Sequence, residues 1–334
     1  MNYLDTINTK LVPQSDRDLN LHVLDLFAGC GGLSLGFEAN GFKTTGYEMN
    51  SIASDTYNKN LLGHCYNTEL NLNQDYPSAD IIIGGPPCQP FSVRGNQNGL
   101  KDSRDGFPVF IDAVTKVKPE LWLFENVRGM LYRNREYLDE IIESLSEQGY
   151  HVYFQLMNAR NYWVPQNRER VIVIGSKKQF GFPKKKESTF TVEDAIGDLI
   201  DQPFDQKYLL TDSMDKYIKK YEVASKCVNP RDLWLDRPAR TLTCRNLAGA
   251  TSDMQRLRIQ NGKRRMLLPN EAARLQSFPD WFQFEGTNSE IFKQIGNAVA
   301  PMFSYHLAKQ IKKYFVDDGL RETNSNYNKQ LAIF

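Results

Sequence analysis

An α/β fold is what the 334 residues predict: a sheet with helices on both faces, plus a smaller irregular unit late in the chain. Three observations carry this. Short apolar runs alternate with segments of helical spacing as far as Ser176. The first run ends in a glycine turn that opens a helix. The periodicity fails between Ser176 and Arg265 and then returns.

The elements follow in order. "HVLDLF" is a strand, "GCGG" a turn and "LSLGFEAN" a helix that stops at Gly41. "KTTGYEMN" reads as a second strand and "SIASDTYNKNL" as a second helix. "ADIIIGG" is a buried strand. "VFIDAVTKV" is helical, "ELWLFEN" a strand, and "EYLDEIIESLSEQGY" an amphipathic helix ending at Gly149. "HVYFQLMN" and "RVIVIGS" complete a mostly parallel sheet. "LLPNEAARLQSFPDWF" and "MFSYHLAKQIKKYF" restore helical signals. The division expected is 1–175 for a first domain, which the motifs below mark as catalytic and cofactor-binding, and 176–265 for a small basic domain. Residues 266–321 return to the first domain, and 322–334 form a loose polar tail.

Composition excludes several classes. With 41% hydrophobic and 24% charged residues, the chain reads as a soluble globular protein. No apolar run approaches the roughly 20 residues that span a bilayer. The N-terminus lacks the apolar stretch of a secretory signal. The five cysteines are odd in number and form no CxxC pair, which predicts free thiols in a reducing, cytoplasmic setting. The four histidines show no ligand spacing, so no metal is expected. Net charge is +1, but it divides unevenly. Ser176–Arg265 holds 19 Lys and Arg against 12 Asp and Glu, hence +7, and the remainder carries −6. "QRLRIQNGKRR" has five basic residues and no acid. A polyanion held by this segment is the functional reading.

The glycine turn places bare backbone N–H groups at the sheet's C-terminal edge. "FAGCGG" is not GxGxxG, and it begins with an aromatic, Phe27. A ring face suits an adenine or a sulfonium better than a pyrophosphate. Glu48, ending the second strand, can take two ribose hydroxyls. This pairing resembles the S-adenosyl-L-methionine site of class I methyltransferases.

"IIIGGPPCQPFSVRGNQNG" brings a strand out of the core, stiffens its end with Pro86 and Pro87, presents Cys88 and continues into polar slack. "GGPPCQPFS" closely resembles the catalytic motif of the DNA (cytosine-5) methyltransferases of bacterial restriction-modification systems. "DLFAGCGGLSLGF", "YEMN", "ENV", "QNRER", "RPARTLT" and "QIGNAVAP" follow that family's order across about residues 21–310. The resemblance implies a class I, Rossmann-like mixed sheet with a small target-recognition domain at 176–265.

It also implies roles. A cysteine thiolate suits conjugate addition to cytosine C6, which makes C5 nucleophilic. That assigns Cys88 as nucleophile and Glu125 as the group at N3, its pKa raised by burial against the base. Arg168 would contact the cytosine ring oxygen, and Arg170 would support the nucleophile's loop. The cofactor would meet Asp25, Phe27, Ala28, Gly29, Gly31, Gly32, Leu33, Glu48, Met49, Glu69, Leu70, Pro86, Asn297 and Val299, leaving as S-adenosyl-L-homocysteine. Glu69 stands where the family commonly has aspartate, and Met49 where it has a bulkier residue.

The loop after Cys88 must open for duplex DNA and close over an extruded base. Ser92 and Arg94 are candidate DNA contacts there. Arg264 and Arg265 are expected on phosphates and Arg245 on a guanine edge. A monomer without obligate protein partner or membrane contact is expected, with room for a cognate restriction endonuclease. Two other readings stay open. A tRNA cytosine-5 methyltransferase would share the fold, although Ser92 stands where that branch has threonine. A non-catalytic DNA-binding relative would tend to lack Cys88 or Glu125.

Overall fold

The computed structural model describes residues 2–16, 19–87, 105–226, 231–248, 253–259 and 262–316. Cys88, Ser92 and Arg94 lie outside them. The chain order is α1 (Tyr3–Lys10), β1 (His22–Leu26), α2 (Gly32–Glu38), β2 (Lys43–Glu48), α3 (Ser51–Asn60), β3 (His64–Asn67) and β4 (Ile81–Gly84). Then come α4 (Phe107–Val117), β5 (Leu121–Val127), α5 (Arg135–Ser146), β6 (His151–Asn158), β7 (Gln166–Asn167) and β8 (Glu169–Ser176). The later part holds α6 (Val192–Ile196), α7 (Asp212–Ala224), β9 (Ala239–Arg240), α8 (Cys244–Ala248), β10 (Arg256–Arg258), β11 (Arg264–Met266), α9 (Pro269–Leu275), α10 (Asn288–Asn297) and α11 (Pro301–Val316).

Seven strands form one sheet in the order β3-β2-β1-β4-β5-β8-β6. β3, β2, β1, β4 and β5 are parallel, and β8 runs antiparallel between β5 and β6. Side chains alternate across the sheet with the period of two that a pleat imposes. Val23, Ile81, Ile83, Leu121, Leu123, Ile172 and Ile174 face one core with α2, α11 and α1. Leu24, Ile82, Trp122, Phe124, Val171 and Val173 face the other, against α4 and α5. Burial on both faces explains why these strands read as continuous apolar runs. Gly175 is dictated by packing, because a Cβ there would sit 2.1 Å from the Trp122 ring.

Among the elements that escaped the sequence reading, three are informative. α1 precedes the first expected strand; Asn2 caps it, and Tyr3, Ile7 and Leu11 are buried. β3 is a short edge strand whose pattern shows a single buried side chain, Cys65. α7 stands within the stretch expected to be irregular, capped by Thr211 and burying only Ile218, so its apolar stripe is too thin to show. A small core of Leu210, Ile218 and Met254 lies there, with Met214 and Met266 packed on it. Phe180, Val192, Ala195 and Ile196 belong instead to the large core.

The structure corrects the expectation for Arg264 and Arg265. Both are buried, and their charge is spent internally. Arg264 donates to Asp232 at 3.0 Å and to Asp215 at 3.2 Å. Arg265 forks onto Glu271, at 2.7 and 2.5 Å, and both side chains are fully buried. Glu271 also accepts from the backbone N–H of Leu268 at 2.8 Å, closing the first turn of α9. Arg256, Arg264 and Arg265 of the basic run thus build an interior, and only Arg258 and Lys263 of that run stay exposed. Replacing Arg265 with Ala strands the Glu271 carboxylate in the core. The expected loss is about 3–5 kcal/mol of stability in denaturant unfolding, with unchanged DNA affinity of the folded protein. Intact stability with weakened DNA binding would restore the phosphate role.

Candidate active site

The strand order reverses at β1, whose neighbours are β2 on one side and β4 on the other. A crevice opens at such a switch point beyond the strands' C-terminal ends. Two turns reach it, Phe27–Gly32 after β1 and Gly85–Pro87 after β4.

The first turn is a backbone cradle. Phe27 has φ +62° and Gly29 φ +56°, both left-handed, so the chain doubles back within three residues. Glu48 closes the cradle. Its Oε2 accepts from the Gly29 N–H at 2.9 Å and its Oε1 from the Asn50 N–H at 2.8 Å. A Cβ on Gly29 would meet nothing within 4 Å, so the turn faces open space. A Cβ on Gly32 would sit 2.4 Å from the Val299 carbonyl oxygen, so the "QIGNAVAP" segment lies directly against the turn. Ala28 and Leu33 are buried, and the Ala28 N–H donates to the Tyr47 carbonyl at 3.0 Å, tying the turn to β2. Met49 is 67% exposed at the end of β2, an apolar surface with no covering, and Glu69 and Asn297 are also exposed. Leu70 is half-buried.

Asp25 lies beneath the cradle. Its Oδ2 accepts from Ser34 Oγ at 2.6 Å, while its buried Oδ1 has no partner among the described residues. Burial, opposed by the Ser34 hydrogen bond and reinforced by the nearby Glu48 charge, raises its pKa to about 7. An orphaned carboxylate oxygen beneath a turn closed by a second carboxylate fits a ligand that carries both a cation and hydroxyls.

The second turn belongs to Cys88. Asn126 Nδ2 donates to the Pro86 carbonyl at 3.0 Å, fixing the chain as it leaves β4. The Gly106 N–H donates to the Pro87 carbonyl at 3.1 Å, so residues 87 and 106 stand side by side. A Cβ on Gly106 would lie 2.5 Å from Pro87 Cδ and 2.9 Å from the Phe27 ring, which ties this anchor to the cradle. Neither anchor was foreseen, although Asn126 lay in plain view in "ENV".

Glu125 sits 3.9 Å from where a Gly85 Cβ would be. Its Oε1 lies 2.7 Å from Arg170 Nε, and both side chains are 12% exposed. Arg170 Nη1 also donates to the Glu169 carbonyl at 2.8 Å. Arg170 lines a cleft of about 550 Å³ with Arg128, Asn158, Arg160, Asn167 and Thr241. Arg128 is exposed and pairs with Glu169 at 2.7 Å, and exposed Arg160 reaches Asn167 at 3.2 Å. Sequence reasoning passed over these two arginines because each stands alone among neutral neighbours.

Arg168 corrects a second expectation. It is 3% exposed and does not line the cleft. Its guanidinium donates to the carbonyls of Leu242, Gly296 and Ala298 at 2.8, 3.3 and 3.0 Å. Burial and then the like charge of Arg170 push its pKa down to about 9. It is a buried tie, and Arg170 is the arginine beside the Glu125 carboxylate. Arg245 is 69% exposed, with Nε 3.4 Å from Asp253.

This sheet order, with its cradle and its carboxylate–arginine pair at one edge, defines a class I methyltransferase. Residues 21–313 match the family described as C-5 cytosine-specific DNA methylase. The type II methyltransferase M.AplI of Arthrospira platensis is 50% identical over 339 aligned residues, covering 100% of this chain and 98% of its own. M.FnuDI of Fusobacterium nucleatum is 33% identical over 89% of this chain and 96% of its own. Among solved structures, a DNA modification methyltransferase encoded within a prophage (E. coli) superposes at TM-score 0.64 with 24% identity, over 89% of this chain and 100% of that one. The S. pombe Dnmt2 methyltransferase superposes at 0.70 with 16% identity, over 88% and 99%. The chain belongs to the C-5 cytosine-specific DNA methylase family and is a DNA cytosine-5 methyltransferase. Among the described residues, no helix is long and apolar enough to cross a membrane.

Asp25 supplies a pH test. Its folded pKa of about 7 lies above the ordinary 3.8, so the folded state binds the extra proton. The stability this gives is complete below pH 3.8 and is lost as pH rises through about 7. Wild type should therefore lose stability relative to Asp25→Asn between about pH 4 and 7, by up to roughly 4 kcal/mol, with little further change above pH 7. Parallel melting curves across pH would refute this if the two proteins kept a constant gap.

Proposed function

We propose that the enzyme transfers the methyl group of S-adenosyl-L-methionine to C5 of a cytosine flipped out of duplex DNA, through a covalent bond between Cys88 and C6. The supporting observation is the Glu125–Arg170 pair, which stands at the same sheet edge as the Glu48-closed cradle and the clamped turn leading to Cys88.

Asp25, Phe27, the backbone of Ala28 to Leu33, Glu48, Met49, Glu69, Leu70, Pro86, Asn297 and Val299 would hold the cofactor. Bound there, it supplies a methyl group on a sulfonium, electrophilic enough for an enamine carbon. The Cys88 thiolate adds to C6, and the charge arriving at N3 is met by a proton from Glu125. Arg170, not Arg168, is the guanidinium placed to contact the ring oxygen and to hold Glu125 in line. As C5 takes the methyl group N3 returns its proton to Glu125; C5 then loses its own proton to a base, the electrons restore the C5–C6 double bond, and the thiolate leaves.

Residues 176–265 serve as target-recognition domain in this reading. Exposed Arg128 and Arg160 in the cleft take over the phosphate role first assigned to Arg264 and Arg265. Arg245 keeps the guanine-reading role, and Ser92 and Arg94 follow the Cys88 turn onto DNA. The type II names of the relatives support protection of host DNA in a restriction-modification system. The enzyme would act as a cytoplasmic monomer beside a cognate endonuclease.

Cys88→Ser should abolish turnover, because an alkoxide is far scarcer than a thiolate at neutral pH. It should still bind S-adenosyl-L-homocysteine. Wild type with a 5-fluorocytosine duplex should give a denaturation-resistant adduct only when S-adenosyl-L-methionine is present. A Cys88→Ser enzyme that turns over near the wild-type rate, or a wild type that leaves no adduct, contradicts the covalent route. An adduct on tRNA but not on duplex DNA would redirect the substrate.

A further inference from the structure

Arg168 is a cation in the interior with no carboxylate within ion-pairing distance among the described residues. Burying such a charge is costly unless its N–H groups find acceptors. The acceptors here are three carbonyls from two distant segments. Leu242 lies in "RPARTLT", just after β9. Gly296 and Ala298 flank Asn297 in the segment against the cofactor cradle.

The surroundings extend this tie. Gln166 Oε1 accepts from the Leu242 N–H at 2.8 Å, and its Nε2 donates to Gln276 Oε1 at 2.6 Å. Gln276 Nε2 in turn donates to the Ala298 carbonyl at 2.6 Å, so that oxygen receives two donors. The backbones touch as well, since a Cβ on Gly296 would lie 2.2 Å from the Cys244 N. One residue beyond Ala298, Val299 presses on Gly32 of the cradle. A continuous path of backbone contacts therefore runs from Thr241, in the cleft wall, to the glycine turn. Arg168 and Gln166 staple its middle.

We infer that Arg168 is a positioning residue that links cofactor occupancy to DNA affinity. It makes the Leu242 strand end and the Gly296–Ala298 loop one rigid part. A duplex that seats against the first then orders the second, and by linkage a bound cofactor strengthens the duplex equally. This rests on the cofactor and DNA sites proposed above.

The test is calorimetric. S-adenosyl-L-homocysteine is titrated into free enzyme and into enzyme saturated with a cytosine-containing duplex, for wild type, Arg168→Met and Arg168→Lys. Wild type should bind the nucleoside at least about fivefold tighter with the duplex present. Arg168→Met should weaken binding to the free enzyme about tenfold and bring the duplex effect close to one. Arg168→Lys should recover part of both. If Arg168→Met does not fold, Gln276→Leu, which removes the second donor to Ala298, should reduce the duplex effect in the same direction. An Arg168→Met enzyme that keeps both affinity and coupling while its single-turnover rate collapses would mean that Arg168 touches the base, and would overturn the inference. Full coupling in Gln276→Leu, where Arg168→Met does not fold, would also overturn it. A wild type that binds no S-adenosyl-L-homocysteine would overturn the cofactor site itself, a separate failure.

Discussion

The site depends on one topological constraint, the antiparallel seating of β8 between β5 and β6. Five parallel strands deliver Glu48, Gly85 and Glu125 to a single edge of the sheet. A sixth parallel strand would begin at the opposite edge, about 20 Å away for strands of this length. Because β8 runs backwards, its first residues arrive where β5 ends, and Val127 pairs with Arg170 in the ladder. Glu125 and Arg170 then meet at 2.7 Å although 45 positions separate them in sequence. Arg168, two residues earlier, is carried inward to the join between the segment after β9 and the loop after α10. One reversed strand thus supplies both a charge for the active site and a strut for its frame.

Charge in this protein cannot be read by counting. The basic excess of residues 176–265 includes Arg256, Arg264 and Arg265, all buried in ion pairs. Asp232 alone collects Arg256, Arg258 and Arg264. Buried pairs of this kind are poor sources of net stability but are costly to break singly, so they hold an otherwise thin core in register. Leu210, Ile218 and Met254 could not do so alone. The cations left for a polyanion are the exposed ones, such as Arg128, Arg160 and Arg245, which no compositional run marks.

What was legible in the sequence follows from what each pattern reports. Apolar runs located β1, β4, β5 and β8, because burial on both faces forces them, while β2 and β6 show through less buried patterns. β3 has one buried side chain and α7 one, so neither prints a period. The cradle was readable because glycine is favoured where φ is positive, as at Gly29 and Gly31, and an acid closes the turn. Glu125 and Arg170 are recognisable as chemistry, but the sequence reading puts Arg168 on the cytosine ring oxygen and leaves the Glu125–Arg170 pair unforeseen. Two arginines at i and i+2 look equivalent in sequence, and only the short break between β7 and β8 sends the first into the interior. Asn126, Gln166 and Gln276 act through backbone carbonyls, which any residue can present, so no sequence signal names their partners.

The central claim is that Glu125 and Arg170 act as one unit on the flipped cytosine. Single-turnover methyl transfer to a cytosine-containing duplex, measured for wild type, Glu125→Gln, Arg170→Met and the double variant, tests it most directly. Each single change should slow transfer by about a hundredfold or more, and the double variant should be little slower than the worse single. A single variant at the wild-type rate, or losses that multiply in the double variant, would contradict the account.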